Sequence, residues 1–455
     1  MNRNQPATRH TTVALVSVTG LVLSAVAAAT AGPATAATHT TVTEWNAAAG
    51  RAAVAACIAP LDNPLHESRM YAMTHLAIHD ALNAIDRRFE PYASEATAPA
   101  GASVDAAVAA AAHDTLVATI ADIPAPFPQA CRDAGIASVT AEYASALSAV
   151  PDGTAKADGI AVGQQAASAI LAEREGDGSD TPLIVADFPE GTLPGQWRFT
   201  PDRPFAFAPG WGDVRTFGLT AADQFPVAPP LPLSSTRYAR DLDEVKALGG
   251  DGVGTPTRRT AQQTETARFW LESSPLSWNR LARTVATSAG LDEWEQARLY
   301  ALLDGALADG YVASFRTKYE DRFWRPVTAI RAAGEDGNPA TTADPGWTPL
   351  ETTPPIPDHD SAHAVEGGAA AMVLRQVLGT DRYEFSHCST TLPGASCADA
   401  TPAVRHYTRF SEAAQENADS RVYIGFHFRN AAEAGLQRGE KVGRWVAQEL
   451  LQPTT

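Results

Sequence analysis

The chain has 455 residues, a formal net charge of −17 and 45% hydrophobic residues, a composition typical of a globular protein. The excess of acidic residues argues against binding to nucleic acid or to an acidic membrane surface, because both carry dense negative charge. A cluster of basic residues in such a chain is more consistent with a local site than with a solvated face.

Residues 1–36 have the pattern of an export signal. Two arginines precede an apolar run at 13–31, and an Ala-Thr-Ala cleavage site ends at Ala36. A membrane anchor is the alternative, since the run is nearly long enough to span a bilayer. Its alanine-rich, threonine-broken composition favours a cleaved signal, so we expect a secreted, extracellular protein. No later stretch is predicted to cross a membrane.

Residues 37–455 are predicted to form a single, nearly all-α domain, a helical bundle with long ordered loops. Apolar residues recur every three or four positions at 41–120, and further helices are predicted within 130–173, 235–330 and from 427 onward. The N-terminal helices and a proline- and glycine-rich lid loop occupy 37–232, and the helical core occupies 233–455. No strand is predicted, and 379–403 is interpreted as a loop.

The even number of cysteines predicts two disulfides in an exported chain. The simplest pairing joins Cys57 to Cys131 and Cys388 to Cys397, although four cysteines permit three connectivities. A zinc site is less favoured, because the chain contains no CxxC motif.

A second candidate metal site lies in the first long helical stretch. His75 and His79 are one helical turn apart with Asp80 beside them, which is metal-ligand spacing. The chain contains no HExxH motif, and helices commonly bury a histidine against a polar partner. We therefore interpret both histidines as packed side chains rather than metal ligands.

Three segments in the last third of the chain carry residues suited to a tetrahedral oxoanion. Arginine can donate to two oxygens at once, lysine acts as a point charge, and N–H groups at a helix start donate to the remaining oxygens. One segment, PPIPDHDSAHAVEGGAA at 354–370, passes from an extended run into a helix start. The alternative is a simple helix cap beside a surface histidine. The candidate residues are Lys318, Arg325, Ser361, His363, Arg421 and His427.

The spacing of these residues resembles the motifs of the family that joins vanadium-dependent haloperoxidases and type 2 phosphatidic acid phosphatases. Lys-x6-Arg-Pro from 318, Ser-Ala-His from 361 and Ser-Arg-x5-His from 420 match its three motifs in order and spacing. The resemblance implies an all-α helical bundle of the vanadium haloperoxidase and acid phosphatase type.

The resemblance also implies a role for each matched residue. His427 would ligate vanadium or, in a phosphatase, attack phosphorus, and His363 would be the acid and base. The oxygens of vanadate, or of phosphate in the same site, would be held by Lys318, Arg325, Ser361, the Ala362 N–H and Arg421.

The activity implied is that of an exported vanadate-dependent haloperoxidase. It would oxidise halide with hydrogen peroxide and halogenate an organic acceptor, with Lys318 polarising the bound peroxide. One alternative is a phosphatase that hydrolyses a phosphoester through a nucleophilic His427. A further alternative is a non-catalytic, oxoanion-binding member of the family.

The chain departs from the family pattern at three positions. Asp360 replaces the motif proline and is unfavourable beside an anion unless an arginine or His359 compensates its charge. Ala362 replaces the motif glycine. Ala431 stands where the family often carries an aspartate that would orient His427.

Other side chains are expected to complete the site. Either the missing aspartate is replaced by Asn430, by Glu433 or by a carboxylate distant in sequence, or the site is weakened. The cations would be oriented by Asp304, Asp309 and Glu320.

Overall fold

The protein is mostly helical, which confirms the predicted fold class. The computed structural model describes residues 40–61, 63–392, 396–397 and 403–454, and the predicted export signal at 1–36 lies outside them. The helices of this part are α1 (Thr41–Ala55), α2 (Pro64–Ile85), α3 (Val104–Ala121), α4 (Gln129–Ala149), α5 (Thr154–Glu173), α6 (Thr236–Leu248), α7 (Ala261–Phe269), α8 (Ser274–Ala289), α9 (Glu293–Asp321), α10 (Pro326–Arg331), α11 (Ala362–Leu378), α12 (Phe410–Tyr423) and α13 (Arg429–Glu449).

One apolar core runs through both predicted parts of the chain. Helix α2 is buried along nearly all of its length, which accounts for its apolar residues on every face. It packs against α3 and α9, and α9 packs in turn against α11 and α13. The segments at 37–232 and 233–455 therefore share one core.

Helix α3 is apolar and long enough to cross a membrane, as judged by length and composition. We expected no stretch after the signal to be apolar and long enough to cross a membrane, and this expectation was wrong for Val104–Ala121. Within the protein, 61% of the helix is buried. It packs against α2, α4 and α5.

The expectation of no strands was also wrong. Two short antiparallel pairs occur in the described residues: β1 (Ile184–Val185) with β2 (Ala206–Phe207), and β3 (Arg382–Cys388) with β4 (Val404–Arg409). In the second pair, Phe385 lies opposite Tyr407 and their rings stack at 5.3 Å between centroids. No short turn joins β3 to β4, so the local sequence lacks the usual hairpin signal.

Both expected disulfides are present. Cys57, at the end of α1, bonds to Cys131 in α4, and Cys388, at the end of β3, bonds to Cys397. The first disulfide closes 74 residues and links two helices of the N-terminal part.

Three glycines of α13 allow this helix to lie directly against α11. A Cβ atom at Gly435 would lie 2.5 Å from the Ser361 carbonyl oxygen, and Cβ atoms at Gly439 and Gly443 would clash with the α11 backbone. These glycines are four residues apart, so they share one face of the helix. The contact fixes the start of α11 relative to the start of α13.

We expect Gly439→Ala to destabilise the protein by about 2 kcal/mol, because its Cβ would overlap the Val365 carbonyl of α11. Gly305→Ala is the matched control, since its Cβ would lie 4.0 Å from the nearest side chain, at the Phe217 Cβ. Alanine favours a helix over glycine by about 1 kcal/mol, so Gly305→Ala should be neutral or stabilising. Urea unfolding measures both variants, and equal effects would contradict the close packing.

Candidate oxoanion site

The structure brings the six candidate side chains into one buried region at the ends of several helices. Lys318 is in the last turn of α9, Arg325 precedes α10, and Arg421 is in the last turn of α12. His427 is two residues before α13. Burial lowers the pKa of His427 well below its usual value, and the positive charges of Arg325, Lys318 and Arg421 lower it further.

Arg325 and His427 form the direct contact at the centre of the site. Arg325 is fully buried, and its Nη1 lies 2.9 Å from His427 Nε2. The same guanidinium donates to the carbonyls of Ile356 and Phe426 at 2.6 and 2.9 Å. Burial lowers the pKa of Arg325 to about 10, so the group remains charged near neutral pH.

Asp358 supplies the carboxylate partner of His427. Its Oδ1 lies 3.0 Å from His427 Nδ1, and 3.9 Å from the Arg325 guanidinium. Asp358 Oδ1 makes no hydrogen bond to a described residue, so at this distance it acts on His427 through its charge. That charge favours a proton on Nδ1, which leaves the Nε2 lone pair to accept from Arg325 or to bind a metal. Burial raises the pKa of Asp358 to about 7, although Arg325 and Lys318 oppose the rise.

Asp358 is a carboxylate distant in sequence, which was one of the substitutes expected for the missing aspartate at Ala431. Of the two nearer substitutes, Glu433 pairs with Arg237 instead. Asp358 itself was not predicted. The sequence feature that could have identified Asp358 is its position in the segment Asp358-His359-Asp360, immediately before Ser361.

Lys318 anchors the backbone that leads into α11. Its ammonium donates to the carbonyls of Pro357 and Asp358 at 3.0 and 2.9 Å, and also to the Asp360 carbonyl. An ammonium has three N–H donors, so all of them point at this segment. This differs from the expected direct contact with an anion oxygen. Burial, aided by the Arg325 charge, lowers the pKa of Lys318 to about 7.

Asp360 is compensated by an arginine that was not predicted. Its carboxylate lies 3.3 Å from Arg438 Nη1 of α13 and accepts from Ser314 at 2.8 Å. Burial alone would raise the pKa of Asp360, but Arg438 and Lys318 hold it below the usual value. The charge of Asp360 is also affected by His359. The Nε2 atom of His359 lies 2.8 Å from the carbonyl oxygen of Ala228 in the lid loop.

The start of α11 lies within the same region. Ser361 is the N-cap residue, but its side chain makes no capping hydrogen bond. Ala362 and His363 are the first two helical residues, so their N–H groups have no partner inside the helix. His363 Nε2 lies 3.2 Å from the Glu272 carbonyl, so this nitrogen carries the proton and Nδ1 is the basic atom.

The segment at 270–274, between α7 and α8, supports two of the site residues. Its Glu272 carbonyl accepts from His363, and its Trp270 carbonyl accepts from Arg421 Nη1 at 2.9 Å. Burial lowers the pKa of Arg421 to about 9, and burial also lowers the pKa of His363 well below its usual value. Arg421 is therefore charged and His363 neutral near neutral pH.

The three carboxylates expected to orient the cations lie elsewhere. Asp304 pairs with His75 at 2.7 Å in the helical core. Asp309 accepts from the backbone N–H groups of residues 217–219, and Glu320 pairs with Arg316 on the surface. His79 packs beside Asp80, with 3.2 Å between Nδ1 and the carboxylate. In the described residues, no group of three or more His, Cys, Asp or Glu could hold a metal ion.

The remaining polar atoms and charges suit an anion with several oxygens. Ser361 Oγ, Arg325 Nη2 and Arg421 Nε are buried and make no hydrogen bond to any described residue. With both histidines neutral, the cations outnumber the carboxylates by two. The buried charged groups are Lys318, Arg325, Arg421 and Arg438 against Asp358 and Asp360.

Comparisons with known proteins match this arrangement. Residues 298–454 match the second helical-bundle domain of VCPO, and this range contains every candidate site residue. The vanadium chloroperoxidase of Curvularia inaequalis is 26% identical over 87% of this chain and 77% of that protein. The chain is therefore similar to vanadium haloperoxidases, both in the domain at 298–454 and over most of its length.

Solved structures of vanadium haloperoxidases have the same fold. A bacterial vanadium-dependent iodoperoxidase superposes with a TM-score of 0.72 at 23% identity, covering 91% of this chain and 97% of that one. A bacterial vanadium-dependent chloroperoxidase in its apo form gives a TM-score of 0.66 at 15% identity, covering 86% and 95%. The likeness in fold extends well beyond the segment that carries the motifs.

We expect Asp358→Asn to separate two kinds of anion binding at about pH 8, where Asp358 is ionised and His427 neutral. Vanadate, which requires an oriented His427 nitrogen, should bind about 10- to 100-fold more weakly. Sulfate, which needs only charge and hydrogen bonds, should bind equally or more tightly, because a negative charge has been removed. Titration calorimetry measures both anions, and parallel losses would argue against the positioning role of Asp358.

We expect sulfate affinity to fall as pH rises above about 7, because Lys318 then loses the proton whose charge favours the anion. The loss of the Lys318 proton alone should cost up to about tenfold in affinity per pH unit, the limit for one linked proton. Sulfate remains a dianion over this range, so the protein alone titrates. Lys318→Met should bind sulfate weakly and with a shallower slope, since Asp358 still ionises over this range, and an unchanged slope in this variant would assign the effect to Asp358 or another group.

Proposed function

We propose that this chain binds vanadate and uses hydrogen peroxide to oxidise halide, and that the oxidised halogen halogenates organic compounds. The observation that carries the proposal is the set of three buried, unpaired donors around a neutral histidine that has its own carboxylate partner. A tetrahedral oxoanion would satisfy these donors and the excess positive charge together.

The residues present fit vanadate. Arg325, Arg421, Ser361 and the first N–H groups of α11 would hold its oxygens, and His427 Nε2 would bind the metal. Bound vanadate supplies Lewis acidity that makes hydrogen peroxide reactive toward halide. The Lys318 ammonium would not contact the anion directly. It donates to three carbonyls of the segment 357–360, which keeps that segment in place, and it adds positive charge to the site.

His363 is suited to move a proton during the reaction. Its Nε2–H is held by the Glu272 carbonyl, so Nδ1 is free to accept a proton from hydrogen peroxide as it enters. The protonated imidazole then returns this proton to the oxygen that leaves as water. The low pKa of His363, caused mainly by burial, favours rapid release.

A phosphatase activity is the second candidate, and the Asp358 contact favours it. A nucleophilic histidine needs a carboxylate at its other nitrogen, and Asp358 is 3.0 Å from His427 Nδ1. His427 would attack phosphorus, the arginines would stabilise the equatorial oxygens, and His363 would protonate the leaving alcohol.

We also propose that the protein is exported. The two disulfides fit an oxidising compartment outside the cytosol. The export pattern at 1–36 supports the same location. Expression with this segment in a secreting host, followed by N-terminal sequencing of the external protein, tests the proposal. A new N-terminus near position 37 is expected.

A side-by-side assay tests the two activities. Phosphate-free protein, with and without vanadate, is assayed for peroxide-dependent bromination and for p-nitrophenyl phosphate hydrolysis. We expect bromination only in the vanadate-loaded protein, and a loss of at least about 100-fold in His427→Ala because the metal ligand is gone. Arg240→Ala is the control, since this exposed arginine belongs to α6 and lies outside the site.

The two readouts separate the alternatives. Hydrolysis that vanadate inhibits, with no bromination, would establish the phosphatase instead. Tight vanadate binding with no turnover above that of His427→Ala would identify a non-catalytic oxoanion-binding protein.

A further inference from the structure

A cleft between α1, α4 and α8 lies apart from the oxoanion site. Of the described residues that line it, none belongs to that site. The volume of the cleft is about 660 Å³, within the range of roughly 300–1,000 Å³ that is usual for small-molecule sites. The functions proposed above make no use of this cleft.

One face of each neighbouring helix supplies a wall of the cleft. On α8 the lining residues 280, 283, 284 and 287 have the three- and four-residue spacing of a single helix face, and residues 43, 47 and 51 have it on α1. The side chains of Ala47, Thr284 and Thr287 are short, so the space between the helices remains open.

Three arginines line the cleft, and two of them have carboxylate partners. Arg51 pairs with Glu142 at 2.7 Å, and Arg280 pairs with Glu272 at 2.7 Å. Arg283 is half-buried, and no carboxylate of a described residue lies within ion-pair distance of it. Burial lowers the pKa of Arg283, and the positive charges of Arg280 and Arg51 lower it further.

Asn46 holds the Arg283 guanidinium in one orientation. The side-chain oxygen of Asn46 accepts from Arg283 Nη1, and its Nδ2 donates to Asn279 Oδ1 at 2.6 Å. Asn279 in turn donates to Asp304 at 2.6 Å, and all three partners are fully buried. The charge of Asp304 therefore acts on Arg283 only across two amide side chains. The arginine is fixed in place, but a direct counter-charge is missing.

One edge of this guanidinium is open to the cleft. Arg283 Nε and Nη2 make no hydrogen bond to a described residue, and both remain in contact with solvent. These two nitrogens lie side by side, so a carboxylate can accept from both at once. Glu44, the other carboxylate in the wall of the cleft, is exposed and forms no ion pair with Arg283.

We propose that the cleft binds a small organic carboxylate. The carboxylate accepts from Nε and Nη2 of Arg283, and the organic part lies along α1 and α8 against Ala47, Thr284 and Thr287. A neutral ligand would leave Arg283 without a counter-charge, and a single inorganic anion would fill only a small part of the cleft. This inference is independent of the chemistry proposed for the oxoanion site.

Titration calorimetry with benzoate tests the proposal, and benzamide serves as the neutral analogue of the same shape. We expect benzoate to bind at millimolar concentration and benzamide to show no measurable binding. Absence of benzoate binding, or equal affinities for the two compounds, would overturn the proposal. Sulfate that displaces benzoate with equal affinity would identify a site for inorganic anions instead, and the proposal would be wrong.

Variants of two arginines locate the bound benzoate. Arg283→Met should weaken its binding by about 10- to 100-fold, the usual value of hydrogen bonds to a charged group. Arg283→Lys keeps the charge but not the paired donors, so its loss should be smaller. Arg421→Met, in the oxoanion site, should leave benzoate affinity unchanged. A loss in Arg421→Met with none in Arg283→Met would place benzoate in the oxoanion site and reject the proposal.

Thr284→Trp tests the cleft without changing Arg283. Thr284 is exposed, so the larger side chain fills the cleft without disturbing the core, and benzoate binding should be lost. Unchanged affinity in this variant would place the ligand elsewhere and overturn the proposal.

Arg298→Met is the matched control for Arg283→Met. Arg298 is also half-buried, and burial lowers its pKa, but it donates to the Leu451 carbonyl at 2.7 Å and lies outside the cleft. This variant should bind benzoate as the wild type does. Equal losses in Arg298→Met and Arg283→Met would assign the effect to net charge or stability and contradict a site at Arg283.

Discussion

Removing several cationic side chains from water is the constraint on which the site depends. Burial disfavours the charged form of each cation, as the low pKa values of Lys318, Arg325 and Arg421 indicate. Backbone carbonyls and two aspartates offset part of this cost. The positive charge that remains is available for an oxoanion, so affinity and stability are linked at this site.

The segment at 356–361 provides most of this compensation. Its carbonyls accept from Arg325 and Lys318, and its two aspartates face His427 and Arg438. The Ser361 N–H donates to the Ala431 carbonyl, which ties the segment to α13. A single short stretch thus joins α9, α10 and α13 before α11 begins. The glycine contacts between α13 and α11 keep these elements at the distance that the hydrogen bonds require.

Much of the site was predictable, because its chemistry is carried by residue types at short spacing. The cations, the two histidines and the helix start at Ser361 could be identified from three local motifs. Their partners could not. Asp358 and Arg438 belong to no recognisable motif. Asp304 and Asp309 were expected to orient the cations only because they precede Lys318 on the same helix. The β3–β4 pair was missed for the same reason, since its two strands are not joined by a short turn.

The sequence by itself determined the helical class and located the candidate site side chains, since helical periodicity and side-chain chemistry are local properties. It also indicated two disulfides, although three pairings of the cysteines were open. Only the tertiary structure decided which carboxylate lies next to His427 and where Lys318 directs its three donors. These contacts join residues far apart in the chain. They depend on how the apolar core packs α9, α11, α12 and α13 together, and no local pattern encodes that packing.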